Sequence, residues 1–153
     1  MISTTLFPGK YIQGPNAIKR LGKEIKKFGN VGFALCSPTA YESIIPENYS
    51  DINSQITFIT EKFNRECTDE EIARVSDSAK KILAEVIVGI GGGKTLDAAK
   101  AVAFSLNLPV IIVPTIASTD APCSALSVIY DSDGKFKRYL FFPKNPELVL
   151  VDT

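Results

Sequence analysis

The chain has 153 residues, 45% of them hydrophobic and 22% charged, which is ordinary for one globular domain. Its 17 basic and 17 acidic residues give a formal net charge of zero, which argues against nucleic acid or an anionic membrane as the main partner. The absence of histidine excludes a Ser-His-Asp triad and a His-ligated metal within this chain. No apolar run approaches the roughly 20 residues of a membrane helix, and residues 1–8 have neither the basic n-region nor the long apolar h-region that predicts a signal peptide.

The cysteine pattern points to a reducing compartment. Cys36, Cys67 and Cys123 are an odd number and include no C-x-x-C pair. This pattern is typical of free or buried thiols, so we expect a cytoplasmic protein.

Strand and helix patterns alternate along the chain. Apolar or alternating runs predict strands at residues 4–7, 10–13, 31–35, 55–59, 86–90, 110–113 and 148–151. Helical spacing predicts helices from Pro15 to Phe28, after Pro38, from the capping box at Thr68 to Leu83, and from Lys94 to about Ser105. Residues 128–130 and 137–142 flank the turn 131–134 and predict a hairpin on the sheet edge.

Apolar strands that alternate with helices predict an α/β fold, a mostly parallel Rossmann-like sheet with helices on both faces. The last apolar strand, residues 148–151, is followed only by Asp152 and Thr153. A strand of this kind is usually covered by a following helix, so we expect residues 1–153 to be one domain of a longer protein.

A glycine-rich turn follows the apolar strand 86–90. Gly91, Gly92 and Gly93 let a backbone approach a phosphate closely, and the N-terminus of the next helix offers unpaired N–H groups. The spacing matches neither the P-loop, which needs glycine at Val88, nor the G-x-G-x-x-G motif, which needs glycine at Lys94. A tight turn without a ligand is the alternative. On the following helix we expect Lys100 on a solvated face and leave Asp97 open between that face and the site.

A hydroxyl-rich loop follows the next strand and reaches the same sheet edge. Its residues Thr115, Ser118 and Thr119 can hydrogen-bond phosphate or ribose. Asp120 is the acid of this loop and is the candidate to orient a polar substrate, although such a residue often serves only as a turn or helix cap.

Both segments carry a family resemblance. The run from Gly91 to Asp97 with Lys100, and the longer run from Pro114 to Tyr130, resemble glycerol dehydrogenases of the iron-containing (metal-dependent, group III) alcohol dehydrogenase superfamily. In that family an N-terminal α/β domain binds NAD, and a following all-helical domain, which this chain would lack, holds zinc. The resemblance thus implies that residues 1–153 are the NAD-binding domain, that the zinc ligands lie beyond Thr153, and that the longer protein is a homo-oligomer.

The resemblance also implies residue roles. Gly93 and Lys94 would lie at the cofactor's pyrophosphate, and Asp120 would contact glycerol. Further cofactor contacts would come from Thr115, Ser118 and Thr119 on the phosphate and adenosine side, and from Ser124, Leu126 and Tyr130 around the nicotinamide. The family usually has an aspartate at the end of the second main strand to bind the adenosine ribose, where this chain has Ser37 and no acid before Glu42. We expect no arginine near Ser37 to accept a 2′-phosphate, so NAD is favoured over NADP.

The patterns and the resemblance together leave three functions open. The first is the cofactor domain of an enzyme that oxidises glycerol to dihydroxyacetone. The second is a stand-alone nucleotide-binding module without catalysis. The third is another superfamily activity, such as glycerol-1-phosphate dehydrogenase or dehydroquinate synthase, against which the stretch from Asp120 to Ser124 argues.

Overall fold

The computed structural model describes residues 6–153, and its centre is a six-stranded parallel sheet. The strands of the chain are β1 (Tyr11–Gly14), β2 (Val31–Cys36), β3 (Thr57–Lys62), β4 (Val86–Gly91), β5 (Val110–Pro114), β6 (Leu126–Tyr130), β7 (Phe136–Phe141) and β8 (Leu148–Asp152). The sheet order is β1-β8-β5-β4-β2-β3, so the glycine turn after β4 lies near the middle of the carboxyl edge. The predicted parallel α/β sheet is confirmed.

Helices cover both faces of this sheet. They are α1 (Leu21–Ile25), which follows a 3-10 turn (Ala17–Arg20), α2 (Ile45–Asn53), which follows a π-helical turn (Ala40–Ile44), α3 (Asp69–Lys81) and α4 (Gly93–Leu106). Alternate strand residues point to opposite faces, so Val88 packs with α1 and α2 while Ile87 packs with α3 and α4. Coverage on both faces explains why the central strands are apolar at nearly every position.

Several predicted boundaries shift. The helix predicted to reach Phe28 ends at Ile25, and Phe28 is 40% exposed. The strand predicted at 55–59 runs instead over Thr57–Lys62, in step with its parallel neighbour β2. Residues 4 and 5 of the first predicted strand lie outside the described residues, and Leu6 and Phe7 are not in a strand.

The predicted hairpin forms, but it does not extend the six-stranded sheet. β6 and β7 pair with each other as a separate two-stranded sheet that lies against α4. The Oγ of Ser127 donates to the backbone oxygen of Asp97 at 2.8 Å, and the N–H of Val128 donates to Asp97 Oδ2 at 3.1 Å. These contacts anchor the hairpin to α4 rather than to an edge of the six-stranded sheet.

The capping box is half confirmed. Thr68 Oγ1 accepts a hydrogen bond from the N–H of Glu71 at 3.1 Å, as the motif predicts. The Glu71 carboxylate does not return to Thr68 but accepts bonds from Asn64 and Arg74. The Thr68 hydroxyl therefore caps α3, and the Glu71 carboxylate ties the helix to the loop that follows β3.

A close approach between β4 and α4 positions the glycine turn, and it can be tested. A Cβ built on Gly89 would lie 2.7 Å from the Cβ of Ala99. Gly89→Ala should therefore lower the free energy of unfolding by about 1–3 kcal/mol through overpacking. Adding Ala99→Gly reopens the space, so the double variant should lose less stability than the sum of the two single variants. Urea unfolding measures the free energy of unfolding of all three variants. Strictly additive losses in the double variant would contradict the close contact.

Candidate functional site

The glycine turn joins the carboxyl end of β4 to the amino end of α4. Gly91 has a φ of +154°, which side chains disfavour, and a Cβ on it would lie 2.8 Å from the Cβ of Ser37. Gly92 caps α4, and the first intrahelical bond that it accepts runs from the N–H of Leu96 at 3.1 Å. The N–H groups of residues 93–95 precede that bond, so they are available at the positive end of the helix dipole to bind an anion.

A cavity of about 200 Å³ lies on one side of this turn, and we call it the Tyr130 cavity. Its lining comes from α4, from the loop after β5 and from β6. The lining residues are Gly93, Lys94, Asp97, Thr119, Asp120, Ala121, Ser124, Leu126, Val128 and Tyr130. The structure thus brings most of the predicted site residues into one cavity, although they come from three separate segments.

The remaining hydroxyl-loop residues lie elsewhere. Thr115 donates its backbone N–H to the oxygen of Gly91 at 3.0 Å and lines a neighbouring cavity of about 460 Å³, which Asp120 also lines. Ser118 is exposed on the same loop, and the structure brings it to neither cavity. Thr119 lies beside the turn, since a Cβ on Gly93 would be 3.3 Å from its Oγ1.

The side chain of Lys94 is already engaged. Its Nζ lies 2.7 Å from Glu66 Oε2 and 4.7 Å from the centroid of the Tyr130 ring. Sequence reasoning missed Glu66, because 28 residues separate it from Lys94 and no motif connects them. The ion pair and the ring hold the amine at the mouth of the Tyr130 cavity.

The prediction of a solvated face for Lys100 is wrong. Lys100 and Asp97 are 3% and 7% exposed, and Lys100 Nζ lies 3.0 Å from Asp97 Oδ1. Burial lowers the pKa of the Lys100 amine and raises the pKa of the Asp97 carboxyl, while the attraction between the two groups opposes both shifts. The face of α4 that carries these two polar residues is covered by the loop after β5 and by the hairpin.

Lys100 also organises the loop after β5. Its ammonium group donates to the backbone oxygens of Ala121 at 2.8 Å and Ser124 at 3.3 Å, and to that of Leu126. A further contact at 3.3 Å reaches the Ser124 hydroxyl. One buried cation therefore fixes the segment that carries Asp120, Ser124 and Leu126 to the cavity.

A second groove, of about 310 Å³, lies on the other side of the glycine turn. Its lining residues are Ser37, Pro38, Phe63, Arg65, Gly92, Gly93, Lys94 and Thr95, and we call it the Ser37 groove. The expectation that no arginine lies near Ser37 is wrong. Strand β3 is the parallel neighbour of β2, so the chain that leaves β3 brings Arg65 beside the residue that leaves β2.

Metal ligands and reactive thiols are scarce around these cavities. Within residues 6–153, no three Cys, Asp or Glu side chains come together in a way that could hold a metal ion. Burial raises the pKa of both Cys36 and Cys67 to about 12, and Cys123 is exposed and free. The prediction of free thiols is confirmed. No helix over residues 6–153 is long and apolar enough to cross a membrane.

The role of Lys100 can be tested by removing its charge. Lys100→Met leaves a buried carboxylate unpaired and several loop oxygens without their donor, so it should lower the free energy of unfolding by about 3–5 kcal/mol. Lys100→Met with Asp97→Leu removes both charges and should cost less than the single variant. Chemical denaturation compares the two. Equal losses would contradict a coupled pair.

Comparison with known proteins supports the family resemblance. The family model for iron-containing alcohol dehydrogenases matches residues 8–153. A curated glycerol dehydrogenase from Thermotoga maritima is 53% identical over 153 residues, which are 100% of this chain and 42% of that protein. A glycerol dehydrogenase from Pseudomonas putida is 46% identical over 149 residues, 95% of this chain and 40% of its own length.

A solved structure agrees in fold. The probable glycerol dehydrogenase from Sinorhizobium meliloti 1021 superposes with a TM-score of 0.90 at 37% identity, over 99% of this chain and 41% of that one. The chain thus spans about two fifths of the length of these relatives. Since the family match covers nearly all of its residues, the chain belongs to the iron-containing alcohol dehydrogenase family.

Proposed function

We propose that this chain is the NAD-binding part of a cytoplasmic polyol dehydrogenase that oxidises glycerol to dihydroxyacetone. The observation that carries the proposal is the meeting of two cavities at the glycine turn, since Gly93 and Lys94 line both. A dinucleotide has two nucleoside halves joined by a pyrophosphate. Two cavities on either side of one anion-accepting turn suit a ligand of that shape. Similarity to glycerol dehydrogenases at 53% and 46% identity supports the substrate class.

Each part of the cofactor has a suitable partner. The pyrophosphate fits the N–H groups of residues 93–95, where a bare glycine backbone and the helix dipole favour an anion. The nicotinamide half fits the Tyr130 cavity, which offers the ring of Tyr130, the apolar Leu126 and the hydroxyls of Thr119 and Ser124. When bound, the nicotinamide accepts a hydride from the alcohol carbon.

The substrate would lie between the loop and β6. Asp120 is exposed and lines both the Tyr130 cavity and its larger neighbour of about 460 Å³. Its carboxylate can accept hydrogen bonds from vicinal hydroxyls and so orient a polyol. Lys100 holds the segment from Ala121 to Leu126, so it positions this side chain without contacting substrate.

Zinc, which the resemblance implies, does not fit the described residues of this chain. The sequence has no histidine, and residues 6–153 bring together no set of Cys, Asp and Glu that could hold a metal ion. We propose that the metal ligands belong to the length of the longer protein that this chain does not span, together with the contacts that build a homo-oligomer.

Gly92→Val tests the pyrophosphate position. The fold should tolerate it, because a Cβ at residue 92 would meet only the side chain of Ile116, with its Cδ1 at 3.1 Å, and that side chain is 53% exposed. The branched side chain would fill the space of the phosphate, so the Kd for NAD should rise at least tenfold, about 1.4 kcal/mol. Calorimetric titration measures binding, and the urea midpoint shows that the variant is folded. Normal NAD affinity in a folded Gly92→Val protein would remove the turn from the site.

Residues 1–153 should also behave differently from a longer protein that contains them. Alone, they should bind NAD weakly, bind no stoichiometric zinc and form no NADH with glycerol, since no Lewis acid lowers the pKa of the alcohol. The longer protein should bind NAD, bind stoichiometric zinc and form NADH with glycerol. Elemental analysis and NADH absorbance test this. Glycerol-dependent NADH from residues 1–153 alone, free of host dehydrogenase, would contradict the proposal, and a longer protein that binds NAD without turnover would favour a binding module.

A further inference from the structure

The Ser37 groove holds a cation that has no ion-pair partner among residues 6–153. Arg65 is exposed and lines the groove from the loop that leaves β3, with a φ of +77°. The two neighbouring amines are both neutralised, Lys62 by Glu42 and Lys94 by Glu66. Arg65 is therefore the positive charge that this groove offers to an anionic ligand.

Ser37 gives the groove a hydroxyl donor at a position where a carboxylate would repel a phosphate. A carboxylate at the end of the second strand usually binds the ribose 2′-hydroxyl of NAD and excludes a 2′-phosphate, whereas an arginine nearby accommodates that phosphate. Here the Oγ of Ser37 accepts a bond from the N–H of Ala40 at 3.3 Å, which leaves its own proton free to donate. The first acid after it, Glu42, is occupied by Lys62.

The position of the groove matches the adenosine ribose. Ser37 touches the glycine turn, as the 2.8 Å approach to a Cβ on Gly91 shows, and Gly92 and Gly93 line the groove next to it. A ribose linked to a pyrophosphate on that turn would lie between the turn and Arg65. Pro38 and Phe63 supply an apolar wall for the base.

We infer that the Ser37 groove binds the 2′-phosphate of NADP, and that Arg65 is the specificity-determining residue that lets this protein use NADP as well as NAD. A guanidinium can bind a phosphate through two parallel hydrogen bonds, and the Ser37 hydroxyl adds a third. The inference rests on the proposed function, because it assigns the adenosine end of the same cofactor.

The experiment titrates NAD and NADP separately into the wild-type protein and into three variants, Arg65→Gln, Arg65→Gly and Arg138→Gln. Arg65→Gln and Arg65→Gly should each weaken NADP at least tenfold, the loss of a charge-assisted hydrogen bond, and change the NAD affinity less than threefold. Glycine suits the positive φ at residue 65, so that variant should fold even if the glutamine variant does not. Arg138→Gln removes the same charge on β7, where Arg138 pairs with Asp69, and should change neither affinity.

A fourth variant approaches the groove from the other side. Ser37→Asp should repel the 2′-phosphate and accept a bond from the 2′-hydroxyl of NAD, so it should weaken NADP at least tenfold and tighten NAD. Wild-type protein that binds NAD but not NADP would overturn this inference and leave the proposed function standing. An equal loss of NAD and NADP in the Arg65 variants, or no loss in either, would overturn it too. Wild-type protein that binds neither cofactor would overturn both proposals.

Discussion

The buried ion pair between Asp97 and Lys100 connects the elements that line the Tyr130 cavity. The two residues stand one turn apart on α4, whose first turn carries the N–H groups that are available to an anion. Asp97 anchors β6 through Ser127 and Val128, and Lys100 binds two backbone oxygens of the loop after β5 and that of Leu126 at the start of β6. Two desolvated charges are costly, and they persist here because each is satisfied by its partner and by backbone groups.

This arrangement makes α4 the common frame of both halves of the cleft. Its amino end separates the Tyr130 cavity from the Ser37 groove, and its close contact with β4 at Gly89 holds that end at the edge of the sheet. A displacement of α4 would therefore move the glycine turn, the loop and the hairpin together. The site depends on one helix even though its residues come from five segments.

Local charge in the cleft differs from the neutral total of the chain. Near the turn, Lys94 is paired with Glu66 and Lys62 with Glu42, so most cations there are neutralised on the protein itself. Within residues 6–153, the N-terminus of α4 and Arg65 are then the positive features of the Ser37 groove without a partner carboxylate.

The sequence by itself determined the parallel α/β fold, the glycine turn and the hydroxyl loop. Apolar residues recur with the period of a strand or a helix, and capping residues and glycines mark where these elements end, so all of these signals are local. It also determined the family, since the motifs around Gly91 and Asp120 are contiguous runs. Only the tertiary structure decided the burial of Lys100, the pairing of Lys94 with Glu66 and the place of Arg65 beside Ser37. Each of these joins residues that are more than 20 positions apart along the chain, and a contact of that kind depends on strand order and helix packing, which no local pattern records.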